Sequence, residues 1–284
     1  MFWRLVISAL VASTLARAQA APKASAEWPF EFRDGLIRVS VTTPESDEPL
    51  RFLVDTGASV SVVDLRTARR LGLKRGARVS VRGVHSAING YWPTRLTARL
   101  GDLYLPQECL AIDLAKLSDA CNSAVDGLLG LDFFRDRIVQ LDFVTKRIRL
   151  LDSTDPFPAG EILPLEIRPC GMRLPVCIEG NERQWVRLDT GCASALQWVT
   201  SSARSAKCER RIAVGLDRIS IPQTTTRLRI GSIALESVPT GLHEREIFPG
   251  ESGLLGNGLL ARFSSVTIDA RAGRLALGSR LPGD

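Results

Sequence analysis

The sequence predicts an all-β protein built from two similar lobes. Two observations lead to this prediction. Short runs of strand-forming residues are separated by turns, and one sequence pattern occurs twice along the chain. Of the 284 residues, 45% are hydrophobic and 24% charged, so the chain can bury a core and is not intrinsically disordered. Aromatic residues make up 6%, and 23 glycines and 15 prolines separate runs of Val, Ile, Leu and Thr. This pattern favours strands and turns over long helices.

Residues 1–20 are predicted to be a signal peptide. An early positive charge, Arg4, precedes an apolar run from Leu5 to Leu15, and the segment ends in Ala-Gln-Ala. A membrane anchor is the alternative, but the run is shorter than the ~20 residues that a membrane-spanning helix needs. We therefore expect an exported chain, secreted or periplasmic, that has no membrane association once the leader is removed.

The chain contains an internal duplication. Phe-Leu-Val-Asp-Thr-Gly-Ala-Ser at 52–59 is followed by Gly-Leu-Leu-Gly at 127–130, and Trp-Val-Arg-Leu-Asp-Thr-Gly-Cys at 185–192 is followed by Gly-Leu-Leu-Gly at 253–256. Such repeats indicate two copies of one structural unit. The proline-containing stretch 152–160 separates the copies, which predicts an N-terminal lobe at 21–155 and a C-terminal lobe at 156–284.

Each Gly-Leu-Leu-Gly precedes a similar set of predicted elements. A short helix is expected to follow, capped by Asp132 in the first copy and by Asn257 in the second. Apolar alternation at 138–149 and 266–277 then predicts a hairpin in each copy. Asp142 and Asp269 also repeat, and we expect them to cap the hairpin turns rather than to take part in chemistry.

Each Asp-Thr-Gly places a carboxyl group in a turn after an apolar strand, where the glycine permits a close approach that a side chain would block. If the lobes face each other, Asp55 and Asp189 meet at their interface and cannot both ionise. One carboxylate then serves as a base toward water and the other carboxyl as an acid toward a peptide carbonyl. The two pKa values would belong to the pair.

On these motifs the chain resembles the aspartic proteases, with the two-lobed order of pepsin and a compactness nearer the retropepsins. The resemblance covers nearly all of the chain after the leader and implies that Asp55 and Asp189 are the catalytic pair. The supporting residues that it implies are Thr56, Gly57, Thr190 and Gly191. The threonines would hydrogen-bond across the junction of the lobes, and the glycines would lie where the substrate backbone pairs.

The resemblance implies an aspartic endopeptidase, a hydrolase that cleaves internal bonds of a peptide or protein substrate with water as the nucleophile. It implies no metal and no organic cofactor, and a monomer suffices because one chain carries both halves of the site. The alternative is a catalytically silent two-lobed protein that binds or inhibits a peptide or protein partner. Intact Asp, Thr and Gly in both loops favour the enzyme.

The chain departs from the family pattern around both motifs. Ala58 and Cys192 stand where pepsins usually carry Ser or Thr, so the pair is expected to titrate above one that hydroxyl groups support. Arg187 interrupts the apolar approach to Asp189, and we expect its side chain to point away from the site. The glycine-containing segment 81–92 is the predicted flap.

Six cysteines form an even set that an exported chain can oxidise. Nearest-neighbour pairing is one of the 15 possible connectivities. The pairs it predicts are Cys109–Cys121, Cys170–Cys177 and Cys192–Cys208. A reactive Cys192 thiol is the alternative for the last pair. The sequence has no Cys-x-x-Cys and two histidines, His85 and His243, so we expect no structural zinc site. A serine hydrolase is not expected either, because Gly-x-Ser-x-Gly is absent.

The formal net charge is +6, and the stretch 66–99 is densely basic. Nucleic-acid binding is one interpretation of such a stretch. Because aromatic side chains are not regularly interleaved with the charges, we interpret it as a solvated face and expect no nucleic-acid partner.

Overall fold

The computed structural model describes residues 24–83, 86–154, 157–180, 182–201, 210–214 and 218–282. The predicted signal peptide, and the residues 155–156 on either side of the predicted lobe boundary, lie outside these ranges. Within the described ranges, no helix is long and apolar enough to cross a bilayer. The described elements are mostly strands arranged in three sheets, which confirms the all-β prediction.

The described part of the N-terminal half consists of thirteen strands and three short helices. The strands are β1 (Ala24–Pro29), β2 (Glu31–Arg33), β3 (Leu36–Thr43), β4 (Ser46–Val54), β5 (Val62–Asp64), β6 (Ala77–Gly83), β7 (Ser86–Arg95), β8 (Arg99–Leu100), β9 (Leu103–Tyr104), β10 (Glu108–Ile112), β11 (Gly127–Leu129), β12 (Ile138–Asp142) and β13 (Arg147–Leu151). Its helices are α1 (Leu65–Arg70), α2 (Ala115–Ala120) and α3 (Leu131–Phe134).

The C-terminal half repeats this organisation. Its strands are β14 (Glu161–Pro164), β15 (Glu166–Arg168), β16 (Gly171–Ile178), β17 (Gln184–Asp189), β18 (Leu196–Val199), β19 (Arg210–Val214), β20 (Arg218–Ile230), β21 (Ile233–His243), β22 (Gly253–Gly256), β23 (Ser265–Asp269) and β24 (Arg274–Leu277). The helix α4 (Asn257–Leu260) follows β22.

The duplication in the sequence corresponds to one strand pattern in both halves. In the ten-stranded sheet, β11 pairs parallel with β4 and antiparallel with β5, and β5 pairs parallel with β10. In the eight-stranded sheet, β22 pairs parallel with β17 and antiparallel with β18, and β18 pairs parallel with β21. Each half therefore places its Asp-Thr-Gly at the end of a strand whose partner is the Gly-Leu-Leu-Gly strand.

A six-stranded sheet joins the two halves in the order β1-β13-β12-β23-β24-β14. Its central pair is β12 and β23, which run antiparallel from Ile138 opposite Asp269 to Asp142 opposite Ser265. Both predicted hairpins are present as β12–β13 and β23–β24. As predicted, Asp142 caps its turn by accepting from the amides of Val144 and Thr145, and Asp269 accepts from the amide of Ala272.

The caps of the two short helices differ from the prediction. Gly130 and Gly256 are the N-cap residues of α3 and α4. Asp132 instead accepts from the amide and the hydroxyl of Ser61, at 2.9 and 2.7 Å. Asn257 donates to the backbone oxygens of Gly35 and Thr190. Both predicted caps therefore fasten neighbouring loops, because each lies one or two residues inside the helix.

The predicted disulfides are wrong for the cysteines that the structure describes. Cys109, Cys121, Cys170, Cys177 and Cys192 are free thiols, and Cys208 lies outside the described ranges. Cys109 and Cys121 pack into two separate hydrophobic clusters, and the Cys109 thiol donates to the backbone oxygen of Thr94 at 3.2 Å. Proximity in sequence was a poor guide here because α2 carries Cys121 to the other cluster.

Candidate active site

Each Asp-Thr-Gly loop is held at the end of a buried strand. The amide of Asp55 donates to the oxygen of Leu129 at 2.9 Å, continuing the parallel pairing of β4 with β11. In the second copy, Asp189 lies opposite Gly256 in the parallel pairing of β17 with β22. Each apolar strand thus places one carboxyl group at its end, in equivalent positions of the two lobes.

The glycines that end the two Leu-Leu-Gly motifs allow the chain to pack closely around these loops. A Cβ atom on Gly130 would lie 2.3 Å from the carbonyl carbon of Val60. A Cβ atom on Gly256 would lie 2.4 Å from the backbone oxygen of Cys192. Because these neighbours are backbone atoms that cannot move aside, a side chain at either position would push the loop away.

The two loops bring their carboxyl groups together at the junction of the lobes. The carboxyl groups of Asp55 and Asp189 lie close enough for each to change the pKa of the other. A Cβ atom on Gly57 would lie 2.6 Å from Cγ of Asp189, and one on Gly191 would lie 2.4 Å from Cγ of Asp55. Each carboxyl group therefore rests on the glycine of the opposite loop, an approach that only glycine permits.

Backbone amides hold the two carboxyl groups unequally. Oδ1 of Asp55 accepts from the amides of Gly57 at 2.9 Å and Ala58 at 3.1 Å. Oδ1 of Asp189 accepts from the amide of Gly191 at 2.9 Å. Since amide donors favour the ionised form of a carboxyl group, the loop of Asp55 accommodates negative charge better than the loop of Asp189.

Burial raises the pKa of both carboxyl groups, but the other groups that shift the pKa differ between them. Burial, and then the negative charge of Asp55, raise the pKa of Asp189 to about 8 against the opposing effects of Arg187 and the Gly191 amide. Burial also raises the pKa of Asp55, while the Ala58 and Gly57 amides, the neighbouring Asp189 carboxyl group and the charge of Arg187 lower it. Because two amides hold Asp55 and one holds Asp189, we expect the pair to share one proton with the charge on Asp55 and the proton on Asp189.

The supporting threonines connect the two lobes. The hydroxyl of Thr56 donates to the oxygen of Leu188, and the hydroxyl of Thr190 donates to the oxygen of Val54, both at 2.8 Å. Each hydroxyl also accepts from the amide of the other threonine. Thr56 and Thr190 are fully buried, and these contacts set the separation of the two loops.

The expectation that Arg187 points away from the site is wrong. Its guanidinium is buried and forms a two-point ion pair with Glu251, with Nε–Oε2 at 2.6 Å and Nη2–Oε1 at 2.8 Å. Nη1 donates to the oxygen of Gly57 at 3.0 Å. The physical reason is strand alternation, because residues two apart on β17 share a face and Arg187 precedes Asp189 by two positions.

Glu251 was not among the residues that the sequence suggested. It lies in the loop before β22, 64 residues after Arg187 and two residues before the second Gly-Leu-Leu-Gly motif, but it is not part of that motif. The two-residue spacing of Arg187 and Asp189 indicates that a cation lies on the face of the carboxyl pair. No pattern in the sequence identifies the ion-pair partner of Arg187.

The predicted flap corresponds to the hairpin of β6 and β7, in which Val81 pairs with Ile88 and Val79 with Gly90. Residues 84 and 85, which include His85, lie outside the described ranges. His243 is buried, with Nε2 2.8 Å from Oε1 of Gln197. In the part of the chain that the structure describes, no three His, Cys, Asp or Glu side chains are grouped to hold a metal ion.

Comparisons with known proteins agree with this fold. Residues 39–133 match the family model described as aspartyl protease. Among solved structures, an aspartic proteinase from Irpex lacteus is similar, with a TM-score of 0.59 and 14% sequence identity over 90% of this chain and 97% of that chain. A search of curated proteins finds no match. The structural likeness thus extends over both halves of the chain, whereas the family match lies in the first.

Proposed function

We propose that this chain, whose family match and fold support its assignment to the aspartic proteases, is an exported aspartic endopeptidase. It cleaves internal bonds of extended peptide or protein segments, and it acts as a monomer without a metal or an organic cofactor. The observation that carries the proposal is the close approach of the Asp55 and Asp189 carboxyl groups at the junction of the lobes, each against the glycine of the opposite loop. Export rests on the sequence of residues 1–20.

The proposed reaction uses the unequal protonation of the pair. Ionised Asp55 accepts a proton from a water molecule as the water oxygen bonds to the carbonyl carbon of the scissile peptide. Protonated Asp189 gives its proton to the carbonyl oxygen, so the tetrahedral intermediate carries no net charge. Collapse of that intermediate breaks the C–N bond, with a proton passing from Asp55 to the leaving amine and one returning to Asp189.

Access to the pair supports this proposal. Gly57, Ala58 and Gly191 are partly exposed around Asp55, whereas the strands beneath them are buried. These partly exposed residues border the carboxyl pair, although Asp189 itself is buried, and we take them as the floor on which a substrate would lie. An extended peptide that lies across this floor would bring its backbone to the two glycines, as the resemblance implies.

The test compares the wild type with Asp55→Asn and Asp189→Asn on a broad peptide library. Each substitution removes one member of a proton-sharing pair, so we expect a loss of cleavage rate of about three orders of magnitude or more. The matched control is Asp142→Asn, which changes a repeated aspartate that lies outside the site and caps a turn. Circular dichroism spectra establish that each variant is folded.

A folded Asp55 or Asp189 variant that keeps most of the wild-type rate would exclude the dyad as the catalytic centre. A wild type that cleaves no peptide of the library but binds an intact protein partner would instead favour the catalytically silent binding protein. Export is tested separately, by locating the protein in medium or periplasm and determining its N-terminus.

A further inference from the structure

The buried guanidinium of Arg187 reaches from the C-terminal half to the loop of Asp55. Glu251 engages Nε and Nη2, which leaves Nη1 to donate to two backbone oxygens, that of Cys170 at 2.8 Å and that of Gly57 at 3.0 Å. The guanidinium is therefore fixed in one orientation by partners on three segments of the chain.

Two further residues enclose this guanidinium. The ring of Phe248 lies with its centroid 3.7 Å from Cζ of Arg187. A Cβ atom on Gly171 would lie 2.8 Å from the same Cζ, so the guanidinium occupies space that a side chain at that position would fill. The exposed fraction of the side chain is 4% for Arg187 and 6% for Glu251, which excludes a direct role in binding substrate from solution.

Stability alone does not account for this pair. Removing two charges from water costs free energy that their attraction often fails to recover, and apolar residues of similar volume serve as well or better. The chain nevertheless places the Arg187–Glu251 pair in the interior, two residues from Asp189 on the same face of β17. The Arg187–Glu251 pair thus places a buried cation beside the carboxyl pair.

The contact with Gly57 reaches Asp55 through a single peptide group. The carbonyl of Gly57 and the amide N–H of Ala58 belong to the same peptide unit. Nη1 of Arg187 donates to the oxygen of that unit at 3.0 Å, and its N–H donates to Oδ1 of Asp55 at 3.1 Å. Hydrogen bonds that follow one another in this way polarise each other. A cation at the carbonyl of Gly57 therefore strengthens the hydrogen bond that the Ala58 amide donates.

We propose that Arg187, held by Glu251, is a positioning residue that replaces the hydroxyl group missing at position 58. Its charge is close to both carboxyl groups, but the relay through the peptide between Gly57 and Ala58 reaches Asp55 alone and thereby favours that residue as the base. The consequence for catalysis rests on the proposed peptidase function. The effect on the ionisation of Asp55 is a property of the folded protein and is measured without a substrate.

The second loop has no equivalent relay. The amides of Ala58 and Cys192 each donate to the backbone oxygen of the aspartate in their own loop at 3.2 Å. Only the Ala58 amide is also bonded to the carboxyl group, at 3.1 Å, whereas Gly191 supplies the one amide that the structure shows bonded to the Asp189 carboxyl. The asymmetry between the loops therefore coincides with the side on which Arg187 makes its contact.

Few charged or titratable groups surround Asp55. The opposing carboxyl of Asp189 and the guanidinium of Arg187 act on it directly. Cys192 lies in the loop of Asp189, and burial raises the pKa of its thiol to about 12, so it remains neutral. Glu251 acts through Arg187, whose charge it neutralises.

The experiment measures the titration of Asp55 by NMR of the side-chain carboxyl carbons, assigned by the signal that Asp55→Asn removes. In the double variant Arg187→Met/Glu251→Leu, which leaves no unpaired charge, we expect the pKa of Asp55 to rise by about one unit. In Glu251→Gln, which leaves the charge of Arg187 uncompensated, we expect the pKa to fall. A purely structural role would not shift the titration in opposite directions.

Two further variants sharpen the test. Adding Ala58→Ser to the Arg187→Met/Glu251→Leu protein restores a hydroxyl beside Asp55, and we expect the pKa to return toward the wild-type value. The matched control is Arg227→Met/Glu236→Leu, an exposed ion pair at 2.9 Å between β20 and β21. This control is expected to leave the titration of Asp55 unchanged.

An unchanged pKa of Asp55 in both the Arg187→Met/Glu251→Leu and the Glu251→Gln proteins would overturn the proposal. If the double variant does not fold, as judged by circular dichroism, the direction of the shift in Glu251→Gln decides. A wild type without peptidase activity would overturn the proposed function, but the titration would still decide whether Arg187 acts on Asp55. With an active wild type, the acid limb of kcat/KM against pH is expected to move with the pKa.

Discussion

Thr56 and Thr190 exchange hydrogen bonds across the junction of the two halves. The amide of each donates to the hydroxyl of the other at 3.0 Å, and each hydroxyl donates in turn to a backbone oxygen of the opposite half, that of Leu188 or Val54. Each hydroxyl thus accepts one hydrogen bond and donates another. Because all of these groups are buried, any substitution that removes a hydroxyl leaves polar atoms without partners.

We expect Thr56→Val and Thr190→Val each to lower the free energy of unfolding by about 1–3 kcal/mol, because an amide and a carbonyl remain buried and unsatisfied. The double variant is expected to lose less than the sum, since the two residues share their contacts. Urea unfolding measures these changes. Thr42→Val, at an exposed position of β3, is the control, and Thr56 and Thr190 variants as stable as it would contradict the expectation.

Gly191→Ala is expected to separate the two carboxyl groups. The added Cβ atom would lie 2.4 Å from Cγ of Asp55, so the loop or the carboxyl group must move by about 1 Å, a displacement that can reduce the rate of an enzyme about 100-fold. Cleavage of one peptide substrate measures the loss. Gly72→Ala is the control, because nothing lies within 4 Å of its added atom although its φ of 66° introduces backbone strain. Equal activity of the two variants would contradict the close approach.

The pH dependence of cleavage follows from the two shifted pKa values. Activity requires ionised Asp55 and protonated Asp189. Since burial raises the pKa of Asp55 above its usual 3.8, the rate is expected to rise only above the ordinary carboxyl range. It is expected to fall as the pH passes about 8, where Asp189 loses its proton.

A bell-shaped profile of kcat/KM with a mildly acidic to neutral optimum is therefore expected on a single peptide between pH 2 and 9. An optimum at pH 2–3, within the pepsin range of about 1.5–4.7, would show that burial and the missing hydroxyl groups do not control the pair. The Asp142→Asn variant serves as the control, because it changes a carboxyl group outside the site and should keep the same profile.

The cysteines are expected to differ in their reaction with a thiol reagent. Burial raises the pKa of Cys109 and of Cys192 to about 12, so neither forms much thiolate at pH 8. Cys170 is exposed and free, and we expect it to be alkylated first in the native protein. Peptide mapping by mass spectrometry without reduction measures the order. Alkylation in denaturant is the control, and a disulfide among the five described cysteines would contradict the structure.

The sequence predicted the duplication well because the constraints on each copy are local. Three features each restrict one position to one residue type. They are an Asp at the end of an apolar strand, a glycine in contact with the opposing carboxyl group, and a glycine packed against backbone. The hairpins and their caps at Asp142 and Asp269 were also predictable, since a turn is formed by neighbouring residues. The predicted helix caps at Asp132 and Asn257 were wrong, because these side chains bond to residues that are distant in the sequence.

The sequence by itself determined the two-lobed plan, the strand and turn character of both halves, and the pair of aspartates that meet. Only the tertiary structure decided that the described thiols remain free and that Arg187 contacts Glu251 and Gly57, which lie 64 and 130 residues away along the chain. The physical reason is that side-chain contacts over such separations depend on how the sheets pack, and no spacing in the sequence records them. The charge balance around Asp55 is therefore a property of the assembled fold.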